Sequence, residues 1–263
     1  MNHVEKQSSS TSKASNVGSP IQRLPLFRKL LIHQSLAPLE TEMIAIPPRS
    51  FGLSTNRRPS ERALLEDYTV ITTYASSRAT LLEREGGDRV PVIWMGHSLG
   101  ASIATVLLSR LPPGPGGARC DGLIFENGFA SIPGMVKALY ASKWVPYHYL
   151  GPLALDKWDV RGVFGRAAGR SATETGCGET EVPTTRRVSQ VPILFLSSDN
   201  DELVPPAMMR DLYETAMRAR GASGEDSGVR WVSVKDGLHD FGWKKDVWAK
   251  SVGRFVRDVV DRA

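Results

Sequence analysis

The chain has 263 residues, 41% hydrophobic and 23% charged, which suits one large α/β domain and does not require two. Its net charge of +5 is scattered among acids without a dense basic run, so the surface reads as solvated and not as a nucleic-acid face. The two cysteines lack metal-ligand or disulfide spacing, no run approaches the ~18 apolar residues of a membrane span, and the N-terminus is not signal-like; the chain as written is expected to be cytoplasmic and unanchored.

In chain order, residues 1–19 are polar and Ser-rich and are expected to be disordered or loop-like, with the folded domain running over 20–263. Ile21, Leu24, Phe27 and Leu31 recur at helical spacing behind Pro20 and predict a short helix. Glu42 to Ile46 is a candidate strand stopped by Pro47 and Pro48. Ser60 caps a predicted long helix carrying Leu64, Tyr68, Ile71, Ala75 and Leu82 on one face. Val90 to Met95 is a short β-branched and aromatic run, hence a buried strand, and Ile103, Val106, Leu107 and Leu108 place a helix after it.

Beyond the PPGPGG loop, Cys120 to Glu126 predicts a strand, Ser131 to Lys143 a helix, and Trp144 to Asp159 an aromatic-rich connection. Residues 162–185 are rich in Gly, Ala, Thr and Arg without periodicity and read as a flexible insertion or surface loop. Val191 to Ser197 is a strand, Asp199 to Val204 a loop, and Pro205 opens a helix with Met208, Met209, Leu212 and Tyr213 inward. Val229 to Val234 is the last strand, and a closing helix carries Trp248, Val252, Phe255 and Val259. Alternating strands and helices define an α/β fold with a mostly parallel sheet and flanking helices.

Between the strand and helix that meet at residue 98 stands Gly96-His97-Ser98-Leu99-Gly100, a Gly-X-Ser-X-Gly turn. Strand, tight turn and helix make a nucleophile elbow: the turn strains Ser98, the glycines leave room, and the hydroxyl is lifted to a helix N-terminus that favours developing negative charge. A serine hydroxyl needs a base, and the base needs an orienter. Of five histidines, His239 lies in a short loop between the last strand and last helix, where it can reach the C-terminal sheet edge. His97 adjoins Ser98, with its side chain expected to point away from the elbow. Asp201 is the preferred orienter, with Asp199 and the strand-end Glu126 as lesser candidates. No phosphate loop, dinucleotide fingerprint, HExxH or paired Cys and His spacing is present, so neither a metal nor another cofactor is implied.

These stretches, and with them NVGSPIQRLPLFRKLL, RSFGLS, GHSLGA, GLIFENGFASIPGMV, PILFLSSDNDELVPP and GLHDFGW, resemble the α/β-hydrolases, and within them the bud-emergence-type, membrane-anchored branch that includes relatives of acyl-protein thioesterases. The order Ser98, Asp201, His239 is the order of that fold. The resemblance implies Ser98 as nucleophile, Asp201 as acid, His239 as base and the Leu99 amide in the oxyanion hole. It also implies hydrolysis of carboxylic esters or thioesters, with a lipidated protein as one substrate, depalmitoylation as one suggested activity, and membrane association for family members. Aligned back from Asn16, residues 11–15 hold no His-Gly turn, where the family has one completing the oxyanion hole. The expectation is an N-terminally incomplete hydrolase lacking its first strands. The competing expectation is a non-catalytic hydrolase-fold binding protein or an inactive fragment.

Overall fold

Four short apolar runs pair side by side into one parallel sheet. They are β1 (Ile93–His97), β2 (Gly122–Glu126), β3 (Ile193–Ser198) and β4 (Val229–Val234), in the spatial order β1-β2-β3-β4. This computed structural model describes residues 23–34, 36, 39–51, 54–112, 118–140, 149–168, 186–221 and 227–263. Parallel neighbours need long crossovers, and helices supply them. The helices are α1 (Leu24–Leu31), α2 (Glu61–Gly86), α3 (Leu99–Arg110), α4 (Ile132–Leu139), α5 (Val160–Ala168), α6 (Arg186–Gln190), α7 (Pro206–Arg220) and α8 (Asp246–Val260).

Successive strand residues face opposite sides of the sheet, and both sides are covered, so β2 and β3 are buried along their whole length. Leu123, Phe125, Ile193, Phe195 and Val229 face one core, which α3, α5 and α7 close with Val106, Phe164 and Leu212. Ile124, Leu194, Leu196 and Val234 face a second core, filled by Leu26 and Leu30 of α1 and Trp248, Val252, Phe255 and Val259 of α8. Register decides which strand ends meet. His97 stands opposite Glu126, Glu126 opposite Leu196, and Ser198 opposite Val234, so the loops after all four strands open at one edge.

Local signals explain most of the helix boundaries. Ser60 accepts a hydrogen bond from the Ala63 amide at 3.3 Å and caps α2, and Gly87 ends it in a left-handed conformation. Ser131 caps α4 in the same way, through the Gly134 amide. Pro205 precedes α7, and Pro206 occupies its first turn.

The structure corrects five expectations. The buried face of α1 is Leu26 and Leu30, while Leu24 and Leu31 are exposed; apolar residues at both spacings left two possible stripes, and docking on α8 selects one. The proline in its first turn is Pro25, and Pro20 lies outside the described residues. On α2 the inward residues include Thr72 and Ser76, whose hydroxyls donate to the carbonyls of Tyr68 and Thr72, so they enter the core without an unpaired polar group. Residues 42–46 form no strand: the run is partly exposed and, among the described residues, has no pairing partner. Finally, the stretch read as an insertion begins inside α5, where Val163 and Phe164 are buried and the Phe164 ring lies 6.0 Å from that of Phe195. Its remainder from 169 to 185, the N-terminal stretch 1–22, and with it residues 11–15, lie outside the described residues. Among the described residues no helix is long and apolar enough to cross a membrane.

Candidate active site

At the end of β1 the chain turns through Ser98 with φ 53° and ψ −121°, a conformation costly for a residue with a Cβ. The turn holds because the Ser98 amide donates to the Glu126 carbonyl at 2.9 Å while its own carbonyl accepts from the Ala101 and Ser102 amides. Gly96 is required by packing: a Cβ there would lie 2.4 Å from the Gly100 carbonyl oxygen and 2.5 Å from the Ala101 backbone. Gly100 differs from expectation, since a Cβ there meets nothing within 4 Å among the described residues. Leu99 is the first residue of α3, so its amide is one of the donors a helix cannot satisfy internally, at the positive end of the helix dipole.

Across the sheet edge, the loop after β4 carries His239, only 3% exposed. Its Nδ1 donates to both oxygens of Asp201, at 2.8 and 3.0 Å. Asp201 is anchored in turn, because its Oδ1 accepts from the amides of Leu203 and Val204 at 2.9 and 2.7 Å. This arrangement puts the proton on Nδ1 and leaves Nε2 as a basic lone pair. The other acids after β3 take different partners. Asp199 accepts from the Ser233 hydroxyl, and Glu202 accepts the His239 backbone N–H at 3.0 Å.

The His239 carbonyl is gripped as well, by two donors. Asn127 Nδ2 and His97 Nε2 both approach it at 2.8 Å, which fills its two lone pairs. Asn127 sits at φ 44° directly after β2 and also holds Ser198, donating to its hydroxyl and accepting its amide. His97 is the larger surprise. Its ring lies 4.7 Å from that of His239, so it packs on the candidate base instead of pointing away from the site. Arg23 donates to His97 Nδ1 at 2.9 Å, and burial together with the Arg23 charge brings this imidazole down to about 3, so it is neutral at physiological pH.

The structure therefore joins Asp201 to His239 directly and brings His239 to the elbow through His97, the residue before Ser98. Among the hydrogen bonds of the described residues none links Ser98 to His239; contacts of this kind tighten when substrate fills a site. His97, His239 and Asp240 bring ligand-type atoms within 4.8 Å of one another. Arg23 already occupies His97 Nδ1 and an Asp240 oxygen, however, and its guanidinium repels a cation there. Glu126, weighed in sequence as an alternative orienter, is 2% exposed and accepts from the Trp248 indole at 2.7 Å, away from His239 Nδ1. Arg23, Asn127 and Glu202 all stand inside the quoted stretches, yet the contact of Arg23 with His97 and the grip of the other two on the His239 backbone depend on the folded loops.

Known proteins resemble the chain in sequence and in fold. No family model matches the chain. Protein bem46 of Schizosaccharomyces pombe is 27% identical over 198 residues, 75% of this chain and 52% of that protein. The lysophosphatidylserine lipase ABHD12 of Macaca fascicularis is 27% identical over 239 residues, 88% of this chain and 51% of that one. The chain spans about half the length of these curated relatives. Among solved structures, the esterase Pf2001 of Pyrococcus furiosus superposes with a TM-score of 0.53 at 14% identity, covering 89% of this chain and 76% of that one, a likeness of fold. The sequence relatives, the parallel sheet and this neighbour converge: the chain has the α/β-hydrolase fold and is similar in sequence to the bem46-type hydrolases.

Proposed function

We propose that this chain is a serine hydrolase that cleaves carboxylic esters or thioesters through an acyl-enzyme. The observation that carries the reading is the Asp201–His239 pair, both side chains almost fully buried, with the His239 ring packed on His97 beside the elbow. Ser98 Oγ attacks the acyl carbon as His239 Nε2 takes its proton, and the Leu99 amide stabilises the oxyanion. His239 then returns the proton to the departing alcohol or thiol. Water, activated by the same imidazole, releases the acid and restores Ser98. Asp201 holds the Nδ1–H tautomer and stabilises the imidazolium. Lysophospholipid esters stand first among the proposed substrates, a reading supported by the name of the ABHD12 relative, and acyl-thioester-linked proteins second, which would make the chain a depalmitoylating enzyme.

The test is labelling of folded protein with a fluorophosphonate serine probe beside Ser98→Ala, followed by turnover of lysophosphatidylserine and of an acyl-thioester peptide. Labelling and turnover are expected to vanish in the variant, with activity falling at least about 10³-fold. Folded wild-type protein that binds acyl ligand but neither labels nor turns over substrate would make the chain a non-catalytic binding protein.

A further inference from the structure

Behind the His239 loop, on the α1 and α8 side of the sheet, lies a buried acid that the triad does not use. Glu126 ends β2, and its side chain leaves the sheet on the same face as that of His97, its neighbour in register on β1. One carboxyl oxygen accepts the Trp248 indole N–H at 2.7 Å; the other, Oε2, is buried and has no hydrogen-bond partner among the described residues. A buried polar atom left unpaired costs about 1–3 kcal/mol, and more for a charge, so a residue of this kind calls for a reason. Its backbone sits at the centre of the site: the Glu126 carbonyl holds the Ser98 amide, and the next residue, Asn127, holds the His239 carbonyl.

We propose that Glu126 is a positioning residue for the base, a buried carboxyl whose negative charge steadies the imidazolium that forms on His239 during acyl transfer. This rests on the serine-hydrolase reading. Among the described residues, the charged and titratable groups around the carboxyl are Arg23 ahead of α1, His97 on β1, and His239 and Asp240 in the loop after β4, and α8 presents the neutral Trp248 indole. Arg23, the Trp248 N–H and a charged His239 favour the ionised form, while Asp240 opposes it. Burial is the strongest influence and pushes the carboxyl up to about 7. The acid is therefore neutral in mildly acidic solution and charged in mildly alkaline solution. In this low-dielectric setting a new negative charge acts on His239 far more strongly than it would in water.

The experiment compares wild-type protein with Glu126→Gln, which keeps the shape and an acceptor for Trp248 and removes only the charge. The ratio of wild-type to variant kcat/KM on an activated ester is expected to rise from near 1 at pH 5.5 to about 3–10 at pH 8.5, since a shift of one pKa unit is about tenfold. Stability supplies an independent arm. The folded protein holds this proton more tightly than the unfolded chain, so the contribution of Glu126 is full below about pH 4.5 and is lost as pH rises through about 7. The Tm of wild-type protein relative to the variant should accordingly fall by roughly 5 °C between pH 5 and 8. A pH-independent kcat/KM ratio, a constant Tm difference, or a Gln variant that fails to fold would each overturn the proposal. Wild-type protein that does not label at Ser98 overturns the hydrolase reading and this proposal with it; a labelling wild type with an unchanged variant overturns this proposal alone.

Discussion

The two faces of the sheet are built from the same strands and differ in kind. The face toward α3, α5 and α7 packs phenylalanines against one another, with the Phe125 and Phe195 rings 5.1 Å apart and those of Phe195 and Tyr213 5.8 Å apart. The β2 and β3 side chains on that side, Leu123, Phe125, Ile193 and Phe195, are all apolar. Toward α1 and α8, the apolar layer of Ile124, Leu194 and Leu196 gives way at the C-terminal strand ends to His97, Glu126 and Ser198, with Asn127 beside them. Dispersion and burial, non-directional and summed over many atoms, serve the first face. Directional hydrogen bonds that hold one loop in one place serve the second. The difference teaches that the sheet separates its tasks by side: one face supplies stability, and the other spends part of its core on orienting His239.

That separation can be broken from either side. The largest expected effect lies on the side of the candidate site: on the serine-hydrolase reading, Asp201→Asn should lower kcat by about 10⁴-fold by disfavouring the productive His239 tautomer, with a Tm close to wild type. Steady-state kinetics beside a thermal melt checks both halves, and a parallel loss of fold would mean that the two tasks are not separate. On the dry face, Phe195→Ala should cost about 3–5 kcal/mol in urea denaturation while leaving kcat per folded molecule near wild type. A large fall in kcat of protein still folded would show that this core also positions the site. The smallest effect is expected at Ser60→Ala, which removes the α2 cap and should cost about 1 kcal/mol without touching kinetics, read from the same denaturation curves.

Much of the fold was legible in the chain because its cues are local. Val229 to Val234 forms a strand with the boundaries the pattern implied, Ser60 caps α2, and the elbow at Ser98 follows from a strand, a packing-required Gly96 and a helix in succession. The pairing of Asp201 with His239 was also anticipated, since each lies directly after a strand whose end must reach the same edge. Periodicity failed where it was degenerate, as in α1, or where a candidate strand had no partner, as at residues 42–46.

By itself, then, the amino-acid sequence determined the alternation of strands and helices, the strained turn at Ser98 and the identity of the acid and base candidates, because each rests on spacing or composition within a few residues. Only the tertiary structure decided that His97 packs on His239, that Asn127 and Glu202 clamp the His239 backbone, that Arg23 reaches His97 from 74 positions away, and that Glu126 is buried against Trp248 with one oxygen unpaired among the described residues. Those contacts join residues far apart in the chain. Strand register and helix docking bring them together, and neither leaves a signature in any single stretch of sequence.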